Sequence, residues 1–430
     1  MTETPQPAPT VRHRRVFFVS GFDPQGHLRY YPLYRDEAAK QCQTAGHRIQ
    51  LGPRRAAGPH LQTWSVEAVV EGCDCHTTYD FLRWDDLVRQ HWFKGHSRYW
   101  GMTLGATWRL FSTGVLWLMF KGSWPGFYVC VRPFLMVLVE LLGSALVLGV
   151  MLLVLAPADI KSGPQPALLA AAAAGAAALC GLNWLGRRAE NLLQMGWVMR
   201  SYWFTTQQGR QQLPDLDQRL DHHARHLLTV LEDPSLDEIL VVGHSSGAMM
   251  AASIVGRACR LAPEKMADPR LSLLTLGQCF PILSFQPQAG HFRADLAAVA
   301  EKLDGRWVDV TAPTDGCCAA LVDPMEAVRA LGVSKGCEPS TPYAGQQRPK
   351  VLSPQFANLF TPEAYAALRK NYSELHFQYL KASEIAGTYD FFAITAGPQR
   401  LAQRFAHQPS VRDYRVFQSF GGSFPGLRDS

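Results

Sequence analysis

Ile239-Leu-Val-Val-Gly-His-Ser-Ser-Gly-Ala-Met-Met-Ala251 is the stretch on which the reading of this chain turns. A run of aliphatic and β-branched residues stops at Gly243. Ser245 follows between His244 and Ser246, and Gly247 opens a small, apolar helical pattern. This is G-x-S-x-G with a strand before it and a helix after it, the context that gives the motif its meaning. So sharp a turn tolerates only small neighbours. Gly243 and Gly247 let strand and helix approach, and Ser245 is pushed out at the tip. The helix N-terminus behind it offers N–H groups to a developing oxyanion. With 35 glycines in 430 residues, the bare pattern is weak; the flanking strand and helix make it specific.

The length allows one large domain or two ordinary ones. Hydrophobic residues make up 47% of the chain and charged residues 18%, which fits a globular core plus some membrane-embedded surface. The net charge of +6 is mild, and no basic stripe carries interleaved aromatics, so no nucleic-acid partner is expected. Residues 1–14, rich in Pro and Thr, read as a disordered tail without the apolar core or cleavage site of a secretory signal. The ten cysteines are scattered. Cys73-Asp74-Cys75-His76 has no second Cys/His pair at finger-like spacing, so free thiols in a reducing compartment are expected and no metal.

Residues 134–155 form a 22-residue apolar run broken only by Glu140, Ser144 and two glycines. At about 1.5 Å per residue it spans a hydrocarbon core of about 30 Å. Fifteen of its residues are Leu, Val or Phe. Each favours insertion by roughly 0.3–0.6 kcal/mol, against a cost of at most roughly 3 kcal/mol for one carboxyl. A second run, 167–185, is mostly alanine and would insert best as a partner of the first, its Ala171 and Gly175 permitting close packing. Between the runs lie Pro157, Gly163, Pro164 and Pro166, a turn. Arg109, Lys121 and Arg132 precede the hairpin, Arg187, Arg188 and Arg200 follow it, and the turn has only Lys161 against Asp159. The positive-inside rule then puts both ends in the cytoplasm, at the cell (inner) membrane. Trp124, Tyr128 and Trp184 stand where interfacial aromatics are expected, and 107–120 reads as an interfacial or buried helix.

Outside the hairpin, strands and helices alternate. Strands are expected at 15–22, 63–70, 239–242, 271–276, 307–311 and 351–353, and helices at 30–43, 79–92, 216–231 and 292–303. This is an α/β fold, a mostly parallel sheet flanked by helices. Its N-terminal part is 15–105, the membrane-associated insertion 106–200, and its C-terminal part 201–430.

A serine hydroxyl needs a base to take its proton and an acid to orient that base. In such a sheet they follow the serine in the order acid, then histidine, on loops beyond later strands. Asp315 comes just after the strand at 307–311, in a turn closed by Gly316; Asp309, inside the strand, stays open as the alternative, and Asp323 lies eight residues beyond Asp315. His376 is C-terminal to the acid, whereas His291 precedes it and His407 sits near the end of a short helical pattern. Backbone N–H groups of Ser246 and Phe22 are the expected oxyanion donors, the latter in Ser20-Gly21-Phe22-Asp23 after the first strand. Asp23 beside such a hole is unusual.

On residues 16–22, Gly243-His-Ser-Ser-Gly247, Asp315 and His376, the chain resembles the α/β-hydrolase superfamily of serine esterases and lipases. The resemblance implies Ser245 as nucleophile, His376 as general base and acid, Asp315 as its orienting partner, and no cofactor. The inserted hairpin departs from soluble members. The expectation is a membrane-anchored serine hydrolase acting on small-molecule or lipid esters at the bilayer. A non-catalytic hydrolase-fold scaffold, or an acyltransferase using the same triad, stays open.

Overall fold

The computed structural model describes residues 11–93, 96–122, 124–155, 166–192, 195–333 and 349–411. Its centre is a nine-stranded sheet built from β1 (His13–Val19), β2 (Arg48–Leu51), β3 (Arg55–Gly58), β4 (Leu61–Val70), β5 (Cys73–Leu82), β6 (Glu238–His244), β7 (Leu271–Leu276), β8 (Trp307–Val310) and β9 (Lys350–Leu352). The order is β2-β4-β5-β1-β6-β7-β8-β9, with β3 also paired to β4. Strands β5 through β9 of that path run parallel to one another; β4 is antiparallel to β5, β2 and β3. The fold is α/β with a mostly parallel mixed sheet flanked by helices, as the alternation of strands and helices implies.

Both faces of the sheet are covered, so β6 and β7 read as unbroken apolar runs rather than alternating ones. Val16, Phe18, Leu240 and Val242 point to one face, where Tyr30 and Tyr34 of α1 (His27–Ala45) meet Leu375 and Phe391. Phe17, Val19, Ile239 and Val241 point to the other. There α2 (Asp85–Gln90) and later helices close the layer.

Two sequence expectations need correction here. The stretch 79–92 is not a helix. Cys73-Asp-Cys-His-Thr-Thr-Tyr-Asp-Phe-Leu82 is strand β5, rich in β-branched and aromatic residues, and only the short α2 follows it. Residues 11–14 are not part of a disordered tail. Val11 N–H donates to Pro398 O at 3.0 Å, and Arg14 is buried in β1. Cys73 and Cys75 are free thiols on β5.

Between β5 and β6 the chain makes α3 (His96–Ser112), α4 (Val115–Gly122), α5 (Trp124–Leu155), α6 (Pro166–Leu192) and α7 (Met195–Gly209), then α8 (Pro214–Val230). β1 pairs with β5 on one side and β6 on the other, so one sheet closes across the insertion. The domain boundary expected at 105/106 falls inside α3. The stretch 107–120 is two helices that break at Gly114, whose φ is +76°.

α5 and α6 are long and apolar enough to cross a membrane, and both exceed the spans 134–155 and 167–185. They pack antiparallel. Leu182 lies over Gly143, and side chains at Gly175 and Gly186 would overlap Met151 and Glu140. Val139, Leu142, Leu146, Leu152 and Leu153 are each more than 60% exposed. Glu140 is buried, and its Oε2 accepts Trp100 Nε1–H at 2.8 Å. The connecting turn expected from Pro157, Gly163 and Pro164 lies outside the described residues.

Candidate active site

Ser245 sits between β6 and α9 (Ser246–Leu261) with φ +60° and ψ −130°. A non-glycine residue held there stores of order 1–3 kcal/mol of strain, which the surroundings must over-determine. They do so. Ser245 N–H donates to Leu276 O at 2.8 Å. A Cβ on Gly243 would lie 2.6 Å from Ala248 Cα, and one on Gly247 would overlap the carbonyls of Val19 and Ser20. One on Gly21 would lie 3.0 Å from Ser245 Cβ. The motif glycines are therefore required by packing, and the loop after β1 lies directly against the serine.

That loop is well tied. Asp23 N–H donates to Gly21 O at 2.7 Å, Asp23 Oδ1 accepts Gln25 N–H at 2.9 Å, and Oδ2 lies 3.2 Å from Arg29 Nη1. Trp197 Nε1–H, on α7, donates to Phe22 O. Asp23 thus orders the turn. The Phe22 N–H makes no hydrogen bond among the described residues, and the N–H of Ser246, in the first turn of α9, has no acceptor within the helix.

His376 lies on a one-turn helix, Tyr372–Phe377, started by Asn371, whose side chain accepts Glu374 N–H. Its Nδ1 is 2.8 Å from Asp315 Oδ2. Asp315 is fully buried in the turn after β8. Oδ2 also accepts Tyr379 O–H at 3.0 Å, and Oδ1 accepts Cys317 N–H at 2.9 Å. Burial alone would raise its pKa. The neighbouring imidazole and these hydrogen bonds outweigh it, and the carboxyl is held below its usual range. A carboxylate against Nδ1 fixes that nitrogen as the protonated one and turns Nε2 outward as the acceptor.

Ser245 and His376 line the same cavity, of about 360 Å³, with Phe22, Val129, Trp197 and Phe377. No hydrogen bond joins hydroxyl to imidazole in this structure. The root of α5 forms part of the wall, for a Cβ on Gly316 would lie 2.8 Å from Pro125 O and Val129 Cγ2.

The other candidates stand apart. Asp309, inside β8, accepts Thr275 Oγ1–H at 2.5 Å and faces Gln278, away from His376. Asp323 accepts Met325 N–H and pairs with Arg329. His291 is at the start of the helix Gly290–Lys302, and His407 is exposed near the C-terminus.

Two participants escaped the sequence reading. Tyr379, three residues after His376, accepts Ala312 N–H at 2.8 Å while donating to Asp315, and so holds the acid turn. The i, i+3 spacing from the histidine was the available signal. His244, next to the serine, donates Nε2–H to His376 O at 2.9 Å. Burial, then the nearby His376, lowers its pKa to about 3, so it acts as a neutral strut under the histidine. Asp315, Cys317 and His376 also bring donor atoms within 4.8 Å of one another, but a metal there would have to displace the imidazole–carboxylate hydrogen bond.

No family model, curated protein or solved structure matches the chain. What the site can do is therefore argued from its own geometry.

Asp309 gives a separate test. Burial raises its pKa to about 7. Between its unfolded value near 3.8 and about 7, the folded chain keeps a proton that the unfolded chain has released. Stability therefore falls as pH rises through this window, by at most about 4 kcal/mol at 1.36 kcal/mol per unit. Asp309→Asn is expected to flatten the fall in thermal midpoint between pH 5 and 8. An unchanged slope would show that the carboxyl titrates elsewhere.

Proposed function

We propose that this chain is a membrane-anchored serine hydrolase of the α/β-hydrolase type that cleaves carboxylic esters through Ser245, His376 and Asp315. The observation that carries the reading is the buried Asp315–His376 hydrogen bond, on the wall of the cavity that the strained Ser245 enters. The strand–turn–helix geometry and the β1 loop packed on Ser245 support it.

Ser245 Oγ attacks the ester carbon while its proton passes to His376 Nε2. The carbonyl electron pair moves onto oxygen, where the N–H groups of Ser246 and Phe22 receive it. As the ester C–O bond breaks, His376 returns the proton to the departing alcohol. Water then attacks the acyl-serine, giving a proton to His376, and the carboxylic acid leaves as Ser245 regains its hydrogen. In resting sites the hydroxyl–imidazole bond is commonly long and tightens with substrate. The hairpin of α5 and α6 anchors the sheet at the bilayer, with both flanks on the cytoplasmic side as Arg187 and Arg188 suggest.

A fluorophosphonate probe, which phosphonylates activated serines, tests this on the full chain in detergent. The expected result is one adduct, mapped by peptide mass to Ser245 and absent from Ser245→Ala. A folded protein that takes no adduct, or takes it at another serine, would overturn the reading and favour a scaffold.

A further inference from the structure

The cavity beside Ser245 is lined by two cations, Arg132 and Lys370, and by no Asp or Glu among the described residues. Tyr372, which also lines the cavity, links the two. Arg132 lies 5.7 Å over the ring of Tyr372, and Lys370 is two residues before that tyrosine in the chain. Arg132 is equally placed over Tyr128. Much of the remaining lining is apolar: Phe22, Val129, Trp197, Val198 and Phe377. The serine thus opens onto a space that carries two cations and much apolar wall.

The height of Arg132 relative to the hairpin is informative. Arg132 is on α5, and Leu135, one turn later, begins its exposed apolar surface. Around the same turns of α5, Phe127, Val131 and Phe134 share an apolar groove with Trp108, Phe111, Trp117 and Phe120, of which Trp108, Phe111 and Trp117 are more than half exposed. Exposed Trp beside an apolar helix marks the boundary between headgroups and hydrocarbon. The aromatic collar and Arg132 therefore share one level, that of lipid phosphates. Guanidinium and ammonium groups are the natural partners of a phosphate.

Resting on the hydrolase reading above, the geometry points to an anionic phospholipid of the surrounding leaflet as the substrate of Ser245. Its phosphate lies on Arg132 and Lys370, and its acyl ester reaches Ser245. The half released as alcohol carries the phosphate; the acyl half passes to the serine.

The test measures protection of Ser245 from the fluorophosphonate probe, with the full chain in neutral-lipid vesicles. Competitors are dodecyl phosphate, dodecanol, dodecyltrimethylammonium and inorganic phosphate. Dodecyl phosphate is expected to protect at concentrations at least tenfold below the other amphiphiles, less so as salt rises, and inorganic phosphate not at all. Arg132→Gln with Lys370→Gln is expected to weaken dodecyl phosphate about tenfold and leave dodecanol unchanged, which also reports an intact pocket; Arg132→Lys restores part of the loss. Equal protection by dodecanol, or by inorganic phosphate alone, would overturn the inference. If Ser245 takes no probe, the chemistry fails by itself. Dodecyl phosphate binding, followed by tryptophan fluorescence with Trp197 in the cavity wall, then decides the site: dependence on both cations upholds the anion pocket, and independence sinks it.

Discussion

On the proposed hydrolase reading, Asp315→Asn is expected to lower kcat for ester cleavage by about 10⁴-fold while leaving the fold intact. The reason is a tautomer. Asp315 Oδ2 holds Nδ1–H of His376, leaving Nε2 to accept the serine proton. With its oxygen in the Oδ1 position, the asparagine still accepts Cys317 N–H. Its amide NH₂ then faces Nδ1, strips that nitrogen of its hydrogen and places it on Nε2, where it blocks the base. KM is expected to change little, because the carboxylate lies behind the histidine, and thermal stability should stay close to that of the parent. Tyr379→Phe removes one of three hydrogen bonds to the carboxylate and is expected to cost about tenfold, in line with one net bond to a charged group. Stopped assays on a chromogenic short-chain ester, with probe labelling of Ser245 alongside, check both. A variant within tenfold of the parent would leave Asp315 a capping residue and remove the acid from the mechanism.

Much of this site could be read from the chain because its constraints are local. The strand–glycine–serine–glycine–helix sequence of 239–251 describes a turn whose sterics are set within a dozen residues, and Gly243 and Gly247 are packed as that turn demands. Asp315 and His376 were found by chain order and by the turn and loop residues around them. The choice between Asp315 and Asp309 was not legible, since one lies inside β8 and the other in the turn that follows it. It depends on which side of β8 meets the histidine helix, and that is decided by Tyr379 and His244 from other segments.

The misreadings share a cause as well. Residues 79–92 mix apolar and charged positions, and the helical period won over the β-branched and aromatic content that packs Tyr79 and Phe81 onto α1. Polar residues at 11–14 look like a tail until a distant partner is known. The hairpin was visible because its apolar runs are long. The length of α5 was not, because its first turns pack against the α/β body at Gly316.

Glu238→Gln is expected to destabilise the protein by about 3–5 kcal/mol, a fall in thermal midpoint of about 3–6 °C for a chain of this length. Glu238 and Arg14 form an ion pair at 2.7 Å with both side chains fully buried. Arg14 also donates to the carbonyls of Gly397 and Gln399, at 2.7 and 2.8 Å, while Glu238 Oε1 accepts Leu401 N–H at 2.7 Å. The pair therefore ties β1, β6 and the C-terminal segment at the ends of the strands opposite Ser245. The glutamine leaves a buried guanidinium without a counter-charge, and desolvation of that charge dominates the loss. Replacing both partners, Arg14→Met with Glu238→Leu, removes the charges but orphans two carbonyls and one N–H, so only part of the stability should return. Because β1 leads to the Phe22 loop and β6 to Ser245, loosening this end should also slow probe labelling below the midpoint of unfolding. Thermal scans in detergent, read by near-ultraviolet circular dichroism, give the numbers. Single and double variants all within 1 kcal/mol of the parent would mean that the strands are held by packing alone.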